Sequence, residues 1–318
     1  MRALSTLVLL TLCISAWAED PAWTYGFSPG LQLEYLLVGT YHSSGVSTQR
    51  IVPQGDSSSP TISAGGDGLS TSGGTPPFAT HDGGGQGSLR ILIQVDEVDG
   101  SGKATCSVQF SRMSGKFDAP GMAGACFPLG IFPQIHGRPF RVVIAPDGGL
   151  PDLADFDTFL RDQLGAETPP ARIDVVVRET RRALAACFPA LPEPPGRAGA
   201  SYRVGEYTYT VGPQKIVDGK KAILVASDTP EFDNEREQGK IKITEKGGSW
   251  SRFWYGRTTP WSIRYEEKHW RNWAQKARTA LGQRTDMTET ITYAASLQKV
   301  TAPKPEDAGK TETPDEQK

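Results

Sequence analysis

Three kinds of residue in this chain could carry chemistry: cysteines, histidines and a dense group of tryptophans and arginines. The tetrapeptide Ala-Cys-Phe-Pro occurs twice, around Cys126 and around Cys187, and a further cysteine is Cys106. A zinc site requires closely spaced cysteine or histidine ligands, and a cysteine nucleophile requires a histidine base. None of these cysteines has a C-x-x-C partner or a histidine beside it. The sequence therefore predicts no metal, no cofactor and no catalytic cysteine.

The cysteines are better explained by packing or by a disulfide. Cys106 falls on the apolar side of a strand pattern, and Cys187 falls on the apolar stripe of a helix pattern. Cysteine packs well as a small apolar side chain, and an exported chain can keep disulfides. Two alternatives stay open: three packed thiols, or a disulfide that joins Cys126 to Cys187 and leaves Cys106 free.

The stretch 248–273 contains five of the seven tryptophans of the chain, together with several arginines. Strand alternation places Trp250 and Trp254 on one face of a strand and Phe253 and Tyr255 on the other. In the interpretation that we favour, the rings cover a core and the arginines lie across their faces. In the alternative, some rings stay exposed and form a platform for a sugar, an aromatic compound or an amphiphile. The candidate ligand-binding residues of that platform are Trp250, Arg252, Trp254, Trp261 and Arg264.

Known catalytic motifs are missing from the sequence. There is no G-x-S-x-G elbow, no H-E-x-x-H and no phosphate-binding loop. None of the four histidines stands in a recognisable signature. Glu266 and Glu267 are adjacent in a segment that we predict to be helical, where neighbouring side chains point apart and cannot face each other across a glycoside. The sequence therefore predicts a protein that is not an enzyme.

The N-terminal residues and the net charge indicate the cellular location of the protein. Residues 1–18 combine Arg2, an apolar run and an Ala-x-Ala site, which is typical of a cleaved signal peptide. No later segment has the roughly 18 apolar residues of a membrane span. The formal net charge of −2 gives no indication of nucleic-acid binding. We expect a secreted or periplasmic protein.

Alternating apolar residues dominate the mature chain and predict an α+β, strand-dominated fold. We expect two similar β-rich halves, residues 19–190 and 191–300, built from curved antiparallel sheets or half-barrels with two or three packed helices. A stretch rich in serine, glycine and proline, residues 43–87, predicts a mobile loop. The polar residues 301–318 predict a disordered tail. Gly247 and Gly248 predict a turn between two strands.

Three segments carry helical periodicity. The first is capped by Asp152 and ends at Gly165, and the second begins at the Pro169-Pro170 pair and ends after Cys187. The third runs from Glu266 to Leu281, with Trp270, Trp273 and two alanines on one stripe.

Several strand-and-turn segments resemble an uncharacterised family of exported bacterial β-rich proteins of unknown function. The segments are VDEVDGSGKA, FRVVIAPDGGL, ACFPALPEPPGRAGASY and YTYTVGPQKIVDGKKA. Members often have tryptophan after the proline-rich crossing, where this chain has Tyr202. The resemblance covers most of the mature chain and implies the architecture; it implies no catalytic residue.

Three functions remain open on these observations. The first is a non-enzymatic binding or structural protein of the cell exterior or periplasm, whose partner is a carbohydrate, a lipid or an envelope component. The second is a periplasmic carrier that holds a lipid or another amphiphile between sheet and helices. The third is a hydrolase without a recognisable motif, which would need a cleft where a histidine or a pair of carboxylates converges.

Overall fold

The computed structural model describes residues 23–48, 78–117, 135–153, 155–192, 197–204, 207–256, 258–277 and 283–303. These residues contain ten strands and two helices. In chain order they are β1 (Gln32–Thr48), β2 (Phe78–Val98), β3 (Ala104–Phe117), β4 (Pro139–Ile144), α1 (Phe156–Leu164), α2 (Pro170–Cys187), β5 (Ser201–Val204), β6 (Tyr207–Val217), β7 (Lys220–Gln238), β8 (Ile241–Gly256), β9 (Ser262–Ala277) and β10 (Arg284–Thr301).

The ten strands form one antiparallel sheet in the order β4-β3-β2-β1-β10-β9-β8-β7-β6-β5. The predicted strand-dominated α+β class is confirmed. β1 pairs with β10 along its whole length, from Gln32 opposite Thr301 to Thr48 opposite Arg284. The strands of the two predicted halves therefore continue into one another, and the division into two domains stays a prediction.

One face of this sheet, which we call the helix face, packs against α1 and α2 and carries the core. Alternate residues of the central strands are buried there, as the period of two predicts. Full burial of a leucine or isoleucine side chain stabilises the fold by about 1.5–3 kcal/mol. The buried residues include Leu33, Tyr35, Leu37, Leu89, Ile91, Ile93, Cys106, Val108, Phe253 and Ala295.

The two helices lie close to their predicted bounds. α1 ends at Leu164 and is followed by Gly165, whose positive φ of 96° favours glycine. It begins three residues later than predicted, because the backbone of Asp152 pairs with Val143 in both directions at 2.9 Å instead of capping a helix. α2 begins at Pro170, where proline is favoured, and ends at Cys187, two residues before Pro189.

The third predicted helix, from Glu266 to Leu281, is wrong, because residues 262–277 form strand β9. β9 pairs with β8 on one side and with β10 on the other, so its backbone groups bond to both neighbours. Such pairing outweighs a weak helical preference, since helix propensities differ by less than about 1 kcal/mol per residue for most residue types. Leu281 lies outside the described residues.

The predicted loop 43–87 is also wrong at both ends. Residues 43–48 belong to β1, residues 78–87 belong to β2, and the two segments pair from Ser43 opposite Gly83 to Thr48 opposite Phe78. Their polar composition gave no sign of this pairing, because ladder hydrogen bonds are made by the backbone, not by the side chains. The rest of the predicted loop, residues 49–77, lies outside the described part of the chain.

Gly247 and Gly248 lie inside β8 and not in a turn. A β-carbon on Gly247 would come within 2.6 Å of both the Phe232 ring and the Trp270 carbonyl oxygen. These glycines therefore permit close approach of neighbouring groups, and the turn between β7 and β8 falls at Gly239, whose φ is 61°.

Candidate ligand-binding groove

A groove runs between α2 and the helix face of strands β6 to β9. One side of helix α2 packs in the core, and another side lines the groove. One side is apolar and enters the core with Ile173, Val176, Leu184 and Cys187. The other side faces the groove with residues at spacings of three and four, which places them on one stripe of a helix. This stripe consists of Asp174, Val177, Arg178, Arg181, Arg182 and Ala185.

The opposite wall comes from the sheet and is aromatic at one end and polar at the other. The cavity volume is about 590 Å³, within the range of about 300–1,000 Å³ that is usual for small-molecule sites. Leu150, from the segment after β4, lies at the edge and is 78% exposed. The strand residues that line the groove are Tyr207, Tyr209, Thr229, Ser249, Trp250, Ser251, Tyr265, Glu267 and His269.

A second cavity of about 410 Å³ extends the groove along the sheet. The two cavities share Arg182, Thr229, Ser249 and His269, which form a waist between them. The second cavity adds apolar side chains from Phe232, Trp270 and Ile291 and a charged pair from Arg271 and Glu289.

Glu267 is the centre of an ionic network at this waist. Arg182 Nη2 lies 3.1 Å from Glu267 Oε1, and the hydroxyl of Tyr265 donates a hydrogen bond to Oε2 at 3.0 Å. The imidazole Nε2 of His269 contacts Oε1 as well and lies 2.8 Å from Arg182 Nη2. The Arg182 guanidinium also lies 4.0 Å from the ring centre of Tyr293, a cation–π contact. α2 is thereby tied to β9 and β10 through one side chain.

The network keeps Glu267 ionised despite its burial. Burial raises the pKa of Glu267, but the hydrogen bond from His269 and the charge of Arg182 outweigh this effect, so the pKa is lowered overall. Burial likewise opposes the charge of Arg182, but Glu267 raises the pKa of the guanidinium overall. Burial raises the pKa of Tyr265 far above its ordinary value, so its hydroxyl stays a hydrogen-bond donor.

The other two arginines of the helix stripe are more available. Arg178 pairs with its neighbour Glu179 at 3.1 Å, but the Arg178 side chain is 70% exposed. Arg181 is exposed and forms no ion pair with any residue that the structure describes. The groove therefore combines an aromatic wall, a neutralised ionic waist and two cationic side chains on one helix.

The predicted aromatic platform lies mainly on the other face of the sheet, but one of its members, Trp250, also lines the groove. Trp254 and Arg264 are cross-strand neighbours, and the Arg264 guanidinium lies 5.7 Å from a ring centre of Trp254. Arg252 lies 4.7 Å from a ring centre of Trp250 in the same way. Four of the five predicted residues are thus brought together, and each of the two rings carries an arginine on its face.

Trp261, the fifth predicted platform residue, belongs to the core. It is 4% exposed and stacks on Tyr25 with ring centres 6.2 Å apart. Phe27 contacts the same indole edge-on at 5.6 Å. Trp261 lies after the end of β8, so strand alternation gives no information about its side.

The described cysteines are buried thiols. Burial raises the pKa of the Cys106 thiol to about 12 and that of Cys187 still further, and the Cys187 thiol donates to the Ala183 carbonyl oxygen at 3.4 Å. Cys187 is free, and its predicted disulfide partner Cys126 lies outside the described residues, so the pairing stays a prediction. No group of three or more metal-binding side chains occurs among the described residues. Neither described helix has the length and apolar character to cross a bilayer.

Glu267, His269 and Arg182 are site residues that were not predicted from the sequence. The signal was present as Glu-x-His in the segment Glu267–His269. In a strand, residues two apart point to the same side, whereas in the helix that we predicted they diverge. The incorrect period therefore separated the two side chains that the structure brings together. Arg182 had no such signal, because its contact with Glu267 crosses 85 positions of the chain.

Comparisons with known proteins do not assign the chain to a family. No protein-family model matches the chain, and no curated protein sequence matches it. One solved structure that resembles it is described as "lipid-protein interactions in lipovitellin", with a TM-score of 0.43 and 11% sequence identity. The match covers 87% of this chain, and the chain spans 26% of that protein.

Proposed function

We propose that this protein is an exported, non-enzymatic binding protein that holds an amphiphilic small molecule in the groove between α2 and the sheet. The observation that carries the proposal is the composition of the groove: an aromatic and aliphatic wall next to fixed charges. Ligand sites of this size are mostly apolar, with a few polar groups that fix the orientation of the ligand.

The apolar part of the groove would supply the affinity. Leu150 and Tyr207 are large side chains that stay 78% and 47% exposed. Val177 and Ala185 line the same groove from α2. Covering such surface yields about 25 cal/mol per Å² of apolar area, so a hydrocarbon chain laid along this wall would be bound favourably.

The ionic waist would hold the walls of the groove in a fixed geometry without providing a reactive group. Glu267 is already bonded by Arg182, His269 and Tyr265, and the hydroxyl of Ser249 donates to Thr229 at 2.8 Å. Saturated networks of this kind stiffen a site, because each member restrains the others.

The experiment compares two matched tryptophan substitutions on α2. Ala185→Trp fills the groove, whereas Ala171→Trp adds the same ring at an exposed position in the first turn that does not line the groove. Binding of the uncharged dye Nile red is followed by its fluorescence, and lipids that co-purify are identified by mass spectrometry. We expect both signals to be lost in the Ala185 variant and kept in the Ala171 variant. Equal binding by both variants, or no binding by the native protein, would reject the proposal.

One observation favours a second candidate, a hydrolase. His269 and Glu267 converge in a cleft, which is the arrangement that a histidine base needs. Ser249 lies directly opposite His269 across β8 and β9. A panel of ester and peptide substrates tests this candidate: hydrolysis that disappears in His269→Ala and in Ser249→Ala would establish it, and inactivity of the native protein toward the whole panel would remove it.

A further inference from the structure

The groove has an excess of positive charge in a chain whose formal net charge is −2. Its lining contains three arginines, all on α2, against the two carboxylates Asp174 and Glu267. The three arginines are not equivalent, and the difference decides what the groove can bind.

Arg182 is unavailable for a ligand. It forms an ion pair with Glu267 and stacks on Tyr293, and Glu267 stays ionised because its pKa is lowered. A ligand anion at Arg182 would have to compete with a carboxylate that is already in place and held by two further hydrogen bonds. Arg182 is therefore a positioning residue that fixes the helix on the sheet.

Arg178 and Arg181 remain as cationic groups of the groove. They are three positions apart, so their side chains project from the same side of the helix, about one turn apart. Arg181 forms no ion pair within the described part of the chain. The Arg178 side chain is 70% exposed, whereas that of its sequence neighbour Glu179 is 17% exposed. Because water solvates the exposed guanidinium and weakens its ion pair, Arg178 can exchange this partner for a ligand.

We propose that the polar end of the amphiphile is an anion, a carboxylate or a phosphate, and that Arg181 and Arg178 bind it while the apolar part lies along the tyrosine wall. This inference rests on the proposed function and adds the chemical class of the ligand. Guanidinium groups suit both anions, because their N–H donors form paired, charge-assisted hydrogen bonds with carboxylate and phosphate oxygens.

The test uses three ligands with the same alkyl chain: dodecanoate, dodecyl phosphate and dodecanol. Each is titrated against the native protein by displacement of Nile red. We expect at least one of the two anions to bind about tenfold more tightly than the alcohol, since a charge-assisted hydrogen bond is stronger than a neutral one. The stronger of the two anions identifies the headgroup as carboxylate or phosphate.

Charge-reversal variants assign the preference to a residue. Arg181→Glu is expected to abolish the preference for the anion over dodecanol. Arg161→Glu, an equal change of net charge at an exposed position of α1 outside the groove, is expected to keep the preference. Thermal unfolding of each variant shows that it is folded.

The outcomes separate the two proposals. If none of the three ligands binds, the proposed function fails. If all three bind with equal affinity, or if Arg181→Glu keeps the preference for the anion, the proposed function stands and the anionic headgroup is rejected. Arg178→Ala gives an independent second measurement, with an expected loss of about threefold to tenfold in anion affinity.

Discussion

The two faces of β8 and β9 use the same kinds of residue for different purposes. On the helix face, Glu267 is enclosed by Arg182, His269 and Tyr265, and its side chain is only 15% exposed. On the outer face, Arg264 pairs with Glu266 and lies across Trp254. The side chains of Glu266 and Arg264 are 24% and 46% exposed, compared with 15% and 34% for Glu267 and Arg182. Glu266 and Glu267 are adjacent in the sequence, so only the side of the sheet distinguishes them.

This comparison shows how burial changes the energetic role of a charge. An exposed ion pair is weak because water solvates both partners, whereas a buried pair becomes costly to disrupt because the remaining charge has no partner. The helix face therefore has charges that must be kept together, and the outer face has charges that can be exchanged.

The largest expected difference between the faces is in stability. Glu267→Ala should destabilise the fold by about 2–3 kcal/mol, because Arg182 is left without its carboxylate; this is below the range for fully buried pairs, since Arg182 and His269 are partly exposed. Glu266→Ala should cost less than about 1 kcal/mol. Urea unfolding of both variants measures the two values, and equal values would show that the two faces do not differ in this way.

The stability contributed by Glu267 on the helix face should depend on pH. The pKa of Glu267 is lowered in the folded state, so its contribution to stability is present above the ordinary glutamate pKa of about 4.3 and is lost as the pH falls through the lower folded value. The groups that face this carboxylate are Arg182, His269, Tyr265 and Tyr209. Unfolding free energies measured from about pH 6 to about pH 3 should fall less steeply in Glu267→Gln than in the native protein. Identical slopes would contradict the assignment.

The smallest expected effect is on the outer face. Arg264→Gln removes the cation from the Trp254 ring and from Glu266, and should cost about 0.5–1 kcal/mol. The affinity for Nile red should not change, because neither Arg264 nor Trp254 lines the groove. A loss of binding without unfolding would instead support a ligand platform on the outer face, as the alternative interpretation of the tryptophan stretch has it.

Much of the fold could be predicted because it follows from local patterns. Leu33, Tyr35 and Leu37 alternate and are buried as expected, and Pro170 and Gly165 mark the start of one helix and the end of another. The ionic network of the site could not be predicted, because its groups come from α2 and β9. Nothing local to Arg182 indicates that Glu267 will lie opposite it.

The residues 262–277 mark the limit of such patterns most clearly. Their tryptophans and alanines fit a helical stripe, yet the segment is a strand because β8 and β10 offer it two complete sets of backbone partners. Formation of a strand changes the side-chain period from 3.6 to 2.0 residues. Glu267 and His269, which are two residues apart, therefore lie on the same face of the sheet.

The amino-acid sequence is enough to predict the strand-dominated class, the start of α2 and the burial of alternate residues. These features depend on the period of the apolar residues and on proline and glycine at the ends of helices and strands. The tertiary structure alone decided which carboxylate is enclosed, which arginine is neutralised and which stays available. The physical reason is that the ionic network depends on distances between residues far apart in the chain, and these distances exist only after the sheet has formed and the helix has packed onto it.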